Sequence, residues 1–250
     1  MNKVFIFDVD GTLTPSRLQM TEKFKKFFKE WTTKNRFYLV TGSDLPKLQE
    51  QVPEDILELA NGIFTCCGNQ FWKEGNTKQW PTDWKLVYEN KFELPNHLEM
   101  FLNIVLKQSP YPHRYGNHIE NRGSMVNFSI VGRDCTQEQR EDFFKWDNEN
   151  NERQRIANII KNKAKGIDAV IGGQISIDIY PEGKDKSQIF EHIQKLETNV
   201  KEFIFVGDRT EEGGNDYPLA NLLSHKDSPY GYAYQTEGPE HTQKILESLI

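Results

Sequence analysis

The stretch Val4-Phe5-Ile6-Phe7-Asp8-Val9-Asp10-Gly11-Thr12-Leu13-Thr14 decides how the rest of the chain is read. Residues 4–7 are an unbroken apolar run of β-formers, the pattern of a strand buried on both faces. The run stops abruptly in two carboxylates, a glycine and two threonines. In open α/β sheets, ligands bind beyond the carboxyl ends of the strands. Asp8 and Asp10 are two apart, so in extended backbone their side chains share a side. Two like charges held that close are costly unless a cation or a shared proton stabilises them. A bare pair of this kind more often marks an acidic turn bent at glycine. The buried strand before it and Gly-Thr after it shift the reading to a site.

The same ending recurs further along. Residues 37–40 form a second apolar run and stop in Thr41-Gly42-Ser43-Asp44. Residues 202–206, apolar after Glu202, read as another buried strand and stop in Gly207-Asp208-Arg209-Thr210. Helical periodicity separates these strands. Phe24, Phe27, Phe28 and Trp31 fall on one helical face behind a cap at Thr21, and that spacing marks them as core. Leu45, Leu48 and Val52 follow the second strand, and Ser43 reads either as the N-cap of that helix or as a hydrogen-bond donor to a phosphate held at its N-terminus. Residues 63–68 read as a strand, residues 73–76 as a hairpin turn, residues 231–234 as a last strand and residues 242–250 as a closing helix. From about residue 81 the texture changes. A helix carrying Leu98, Phe101, Leu102, Val105 and Leu106 leads to strands at 118–122 and 125–131. A polar helix follows over 136–165, with a break expected at 147–151, and then strands at 169–171 and 175–180. This block interrupts a doubly wound pattern and reads as an inserted domain, with linkers at 80–82 and 181–183.

Composition narrows the function. The chain has 250 residues and a formal net charge of −6, so no global basic field favours nucleic acid. An anionic substrate would be held by local lysine, arginine and metal. The three cysteines, Cys66, Cys67 and Cys135, suggest neither a disulfide framework nor a metal spacing, and a reducing cytoplasm is the expected setting. No signal peptide is expected, because the first residues enter a strand at once. No apolar run approaches the roughly 18 residues of a membrane span.

Asp8-Val9-Asp10-Gly11-Thr12 resembles motif I of the haloacid dehalogenase-like phosphotransferases. The resemblance implies that Asp8 is the nucleophile that becomes an aspartyl-phosphate and that Asp10 is the general acid/base. It implies Mg2+ held by Asp8, the carbonyl of Asp10 and Asp208. A carboxylate can accept a phosphoryl group and pass it on, which splits one hard step into two. A metal lets an anion attack an anion. Ion-pumping ATPases have threonine at the second acid, so Asp10 argues against them. Thr41-Gly42-Ser43 is similar to motif II, which implies a hydrogen-bond donor to the transferring phosphoryl group, with Ser43 preferred over Thr41. Lys184 or Lys186 would be the motif III lysine, with Lys186 preferred. Gly207-Asp208 resembles motif IV, and Asp216 would either support the metal ligands or cap a helix.

In the inserted block, Ser176 and Asp178 alternate with Ile175, Ile177 and Ile179, giving one polar strand face. Unaided, that face reads as solvated, and Arg122, Arg133 and Arg140 read either as surface charges or as a phosphate clamp. The run from Asn121-Arg122-Gly123-Ser124-Met125-Val126-Asn127 to Gly132-Arg133, with Thr136-Gln137-Glu138-Gln139-Arg140, resembles the cap motif of the eukaryotic-type phosphomannomutases. Gly172-Gly173-Gln174-Ile175-Ser176-Ile177-Asp178 and Asp185-Lys186 continue it. The resemblance spans nearly the whole chain. It departs at Thr41, Asn121, Gln174 and the Tyr115-Gly116-Asn117 region, is poor over 65–115, and leaves 222–229 as an insertion.

This resemblance implies a HAD-like doubly wound parallel α/β core over 1–81 and 186–250, with an α/β cap over 82–185. It implies that Arg122, Arg133 and Arg140 hold the distal phosphate, that Ser176 and Asp178 hold the sugar, and that Arg17 reaches toward substrate. The expected activity is interconversion of mannose 6-phosphate and mannose 1-phosphate through a hexose 1,6-bisphosphate, which also serves as activator, with cap closure keeping water out. The expected partner is a small sugar phosphate, with no nucleic acid and no membrane, in the cytoplasm; a homodimer through the cap is left open. A Mg2+-dependent sugar-phosphate phosphatase and a non-catalytic sugar-phosphate-binding protein are the alternatives.

Overall fold

The first strand, β1 (Lys3–Phe7), lies inside a sheet with a partner on each side. In the computed structural model, which describes residues 3–75, 83–226 and 230–249, the chain divides into two units. The larger takes Met1–Glu89, Asp185–Glu212 and Asp216–Ile250, and the smaller takes Asn90–Lys184 with Gly213–Asn215. The larger unit runs through β1, α1 (Glu22–Thr32), β2 (Phe37–Val40), α2 (Leu45–Gln51), α3 (Glu54–Leu57), β3 (Ile63–Thr65), β4 (Gln70–Glu74) and β5 (Trp84–Glu89). The smaller unit then supplies α4 (Asn96–Gln108), β6 (Ile119–Asn121), β7 (Val126–Ser129), α5 (Gln137–Asn150), α6 (Glu152–Lys163), β8 (Ile167–Gly172) and β9 (Ser176–Pro181). The chain returns to the larger unit with α7 (Gln188–Leu196), β10 (Glu202–Gly207), α8 (Tyr217–Ser224), β11 (Gly231–Gln235) and α9 (Pro239–Ser248).

The larger unit holds a seven-stranded sheet in the order β11-β10-β1-β2-β3-β4-β5. β11 to β3 pair in parallel, and β4 and β5 add an antiparallel edge. Because the buried strands are apolar on both faces, each face builds its own core. Phe5 and Phe7 join Phe24, Phe28, Trp31 and Phe37 on one side. Val4 and Ile6 join Tyr38, Phe64, Ile189, Phe190, Ile193 and Phe205 on the other. Burying each such side chain contributes about 1.5–3 kcal/mol. Thr21 caps α1 by accepting from the Phe24 N–H at 3.3 Å.

Two expectations change here. The strand read over 63–68 ends at Thr65, and Cys66–Gly68 is a 3-10 turn with both cysteines left-handed, at φ 52 and 57. The residues just past the expected boundary at 82 form β5, which pairs with β4 rather than entering the inserted block. Its anchors are the Trp84 indole N–H donating to Glu54 Oε1 at 3.0 Å and the Tyr88 hydroxyl donating to the Gly68 carbonyl at 2.8 Å. The expected linker at 80–82, the end of the hairpin turn at 76 and part of the proposed insertion at 222–229 lie outside the described residues.

The smaller unit holds a four-stranded antiparallel sheet in the order β6-β7-β9-β8. Leu98, Leu102, Phe143, Ile156 and Ile160 from its helices share one core with Val126, Phe128, Ile177 and Ile179. The expected helix break falls at Asn151, whose left-handed φ of 53 separates α5 from α6. Thr136 and Gln139 form a capping box at the start of α5. Among the described residues no helix is long and apolar enough to cross a membrane.

Candidate active site

β1 pairs with β10 in the register Phe7↔Val206, so Asp8 and Asp208 leave the sheet at its carboxyl edge on adjacent strands. The Asp8 N–H donates to the Val206 carbonyl at 2.9 Å, which carries the ladder one residue beyond the strand. The chain then turns tightly, with the N–H groups of Thr12, Leu13 and Thr14 all directed at the Val9 carbonyl. Gly11 makes this turn at φ +87, and a Cβ there would lie 2.6 Å from Asp208 Oδ2. Glycine is therefore required twice, for the backbone and for the acid beside it. The Thr12 hydroxyl donates to Asp8 Oδ2 at 3.2 Å.

Asp8, Asp208 and Asp216 each present a carboxylate oxygen, and these oxygens lie within 4.8 Å of one another. Lys186 enters the cluster fully buried. Its Nζ donates to Asp8 Oδ1 at 2.7 Å and to Asp216 Oδ1 at 2.6 Å. Burial pushes the Asp8 carboxyl up to about 7; Lys186 opposes that shift and Asp216 adds to it. Burial, then Asp8 and Asp216, hold Asp208 well above the usual carboxylate range. For Lys186, burial acts to lower the pKa, but Asp216 and Asp8 outweigh it and hold the ammonium well above the usual lysine value. Three carboxylates face one ammonium, so the cluster is short of positive charge. An oxygen-only donor set with this deficit fits a hard divalent cation such as Mg2+.

Asp10 points its carboxylate elsewhere. Its Oδ1 accepts from the Arg17 N–H at 2.5 Å and from Gln51 Nε2 at 2.9 Å. Arg17, the donor of that N–H, has left-handed backbone at φ 64. Gln51 is buried at the end of α2 and also reaches the Thr14 hydroxyl oxygen at 3.4 Å.

β2 pairs in parallel with β1, so Thr41 and Ser43 emerge at the same sheet edge as Asp8. The helix cap expected of Ser43 is made instead by Asp44, whose Oδ1 accepts from the Lys47 N–H at 3.1 Å. The two residues are equally good caps, and the turn places Asp44 at the position that faces the helix N–H groups. The Ser43 N–H donates to Thr41 Oγ1 at 3.0 Å. The Cys66 N–H donates to the Ser43 carbonyl and the Cys67 N–H to the Thr41 carbonyl, each at 2.9 Å. The left-handed cysteine pair thus braces the loop. Of the two candidate lysines, Lys186 is the one that reaches Asp8.

The smaller unit gathers a second group. Arg122, which is buried, and Arg133, whose side chain is 6% exposed, share the carboxylate of Glu120: Arg122 Nη2 is 2.5 Å and Arg133 Nε 3.3 Å from Oε2. Arg133 Nη1 donates to Ser176 Oγ at 3.0 Å. Asn127 Nδ2 donates to Asp178 Oδ1 at 2.7 Å, and Asn215 Nδ2 to Oδ2 at 3.4 Å. Ser176 and Asp178 are 4% and 2% exposed, so their strand face is not a solvated one. Arg140 is buried on the first turn of α5.

Asp216, which the sequence offers either as support for the metal ligands or as a helix cap, lies eight residues after Asp208 and joins the acid cluster. Gln51 and Glu120 look like surface residues in one dimension; burial reveals Gln51, and the ion pairs with Arg122 and Arg133 reveal Glu120.

The chain matches a family model described as eukaryotic phosphomannomutase over residues 24–250. It is similar to a phosphomannomutase of Encephalitozoon cuniculi, 39% identical over 99% of this chain and 93% of that one. It is also similar to phosphomannomutase 1 of Dictyostelium discoideum, 34% identical over 100% and 97%. A phosphomannomutase of Saccharomyces cerevisiae is 33% identical over 98% and 93%. Among solved structures, a haloacid dehalogenase-like hydrolase from Bacteroides thetaiotaomicron superposes with a TM-score of 0.56 at 14% identity over the full length of both chains. IMP-bound IMP-nucleotidase of Plasmodium falciparum gives 0.62 at 18% identity, over 99% of this chain and 68% of that one. At such identities the likeness carries the fold alone. The chain has the haloacid dehalogenase-like fold and belongs to the eukaryotic phosphomannomutase family, as an enzyme of phosphomannomutase type.

Proposed function

We propose that this enzyme interconverts mannose 6-phosphate and mannose 1-phosphate by passing a phosphoryl group through Asp8. The observation that carries the reading is the buried Asp8 carboxylate, held by Lys186 at 2.7 Å beside Asp208. A carboxylate oxygen of Asp8 forms a bond to phosphorus as the bond to the donor oxygen breaks, giving an aspartyl-phosphate. Asp10 delivers a proton to the departing sugar oxygen and later removes one from the hydroxyl that takes the phosphoryl group. Gln51 and the Arg17 N–H aim Asp10 for that exchange. Mg2+, held by Asp8, Asp208 and the Asp10 carbonyl, would neutralise phosphate charge so that one anion can approach another. Lys186 favours the ionised form of Asp8 against its burial, and Ser43 donates to the transferring group. In the smaller unit, Arg122, Arg133 and Arg140 serve the phosphate that is not reacting, and Ser176 and Asp178 the sugar hydroxyls. A hexose 1,6-bisphosphate acts as activator because it phosphorylates Asp8 at the outset.

The test is a coupled assay on mannose 1-phosphate with Mg2+ and a catalytic amount of glucose 1,6-bisphosphate, with Asp8→Asn as blank. Mannose 6-phosphate without stoichiometric free phosphate is the expected result. Free phosphate without isomer would make the protein a phosphatase instead. Neither product from folded protein would leave a binding role.

A further inference from the structure

Arg153 is among the largest side chains in the protein with almost no exposed surface. It stands in the first turn of α6, just past the left-handed Asn151. Its N–H donates to Asp147 Oδ1 at 2.9 Å and its Nε to Asp147 Oδ2 at 2.7 Å, so both carboxylate oxygens are engaged. The Phe143 and Phe144 rings lie 6.0 and 5.9 Å from the guanidinium carbon. The other end of the fork leaves the helices. Arg153 Nη1 donates to the Gly173 carbonyl at 2.9 Å and approaches the Ser176 carbonyl at 3.4 Å.

Burying a guanidinium is costly even when a carboxylate accompanies it, and an apolar pair of similar volume often serves stability as well. Pairing with Asp147 therefore does not explain why the charge is kept. The two carbonyls do. They belong to the turn that joins β8 to β9, whose closing pair is Gly172↔Ser176. Ser176 then presents its hydroxyl to Arg133, and Asp178 follows two residues later on the same face. Gly172 packs against the Asp178 carboxylate so closely that a Cβ would lie 2.4 Å from Oδ2. A shift of this turn moves both polar side chains.

We propose that Arg153 is a positioning residue for sugar recognition: it pins the Gly173 and Ser176 carbonyls so that Ser176 and Asp178 keep their places. The proposal rests on the reading of Ser176 and Asp178 as sugar-binding. The test uses the full chain in three forms: wild type, Arg153→Lys, and Asp147→Leu combined with Arg153→Met. The combined variant removes both buried charges together and keeps the volume. Lysine keeps the charge but lacks the fork.

Three quantities are followed: the melting temperature, the amide exchange of residues 172–178, and KM and kcat on mannose 1-phosphate. In the combined variant the expected result is near-wild-type melting, exchange about tenfold faster at 172–178 and unchanged in β1, and KM up about tenfold with kcat within about threefold. Arg153→Lys should fall between it and wild type. Unchanged exchange in the folded combined variant overturns the proposal, as does faster exchange with unchanged KM. If the combined variant does not fold, Arg153→Lys decides by the same two quantities. A wild type without turnover overturns the functional reading and this proposal with it, and the wild-type control separates that result from a failure of Arg153 alone.

Discussion

The Lys186 ammonium lies 2.7 Å from Asp8 Oδ1, and Lys186 has no exposed surface. It is also the counter-charge for Asp216, at 2.6 Å. Lys186→Met would leave two buried carboxylates facing each other. The expected loss is about 3–5 kcal/mol of folding stability, read by urea unfolding of the Mg2+-free protein, together with loss of turnover. Stability equal to wild type would mean that the pair does not hold the cluster together.

The Asp8 carboxyl, raised to about 7, links metal binding to pH. A carboxyl raised on folding retains a proton that the unfolded chain releases near its ordinary value of 3.8. Its favourable contribution is complete below that value and fades as pH rises through about 7. A cation competes with that proton and gains as it leaves. Mg2+ should therefore raise the melting temperature more at about pH 8 than at about pH 6. An equal increment at both would disconnect the acids from the metal.

Gln51 donates to Asp10 Oδ1 from a buried position, so it aims the acid without touching the metal cluster. Gln51→Leu keeps the bulk and removes the donor. Turnover should fall about tenfold or more, with Mg2+ affinity within about twofold of wild type, because one charge-assisted hydrogen bond is lost. Steady-state kinetics over a Mg2+ titration separates the two effects.

Glu120 partly neutralises Arg122 and Arg133. In Glu120→Gln the two guanidinium groups keep an acceptor but lose the opposing charge. Inorganic phosphate should inhibit at several-fold lower concentration, and the inhibition should weaken more steeply with added salt. Weaker inhibition at all salt concentrations would mean that Glu120 shapes the arginines more than it screens them.

The strands that end in Asp8, Ser43 and Asp208 were legible because a buried parallel strand is a continuous apolar run, and a sudden acid or hydroxyl shows where it stops. β5 was not legible as part of that sheet. It is a half-exposed edge strand in which Lys85 and Glu89 dilute the pattern, and its membership depends on pairing with β4. The choice between Lys184 and Lys186 depends on the start of α7, where two residues decide which ammonium turns inward. Gln51 and Arg153 are polar residues on ordinary helix positions whose burial is a tertiary fact, and the pairing of Glu120 with two arginines is another; no local pattern carries either. Ser176 and Asp178 stood out by alternation, but alternation alone assigns a polar face to water, which is not where these two lie.

The larger unit is assembled from both ends of the chain, and its chemistry inherits that order. Asp8 precedes its partner Lys186 by 178 positions, and Asp208 and Asp216 come later still. Closing so long a loop is slow, and contacts of high sequence separation form late. A ribosome-bound chain that has completed the N-terminal strands and the whole inserted block still has no counter-charge for Asp8 and no acid cluster. A chain truncated before β10 lacks Asp208, Asp216 and the strand that pairs with β1, so it is expected to expose a hydrogen-bonding edge of β1 and to show no turnover.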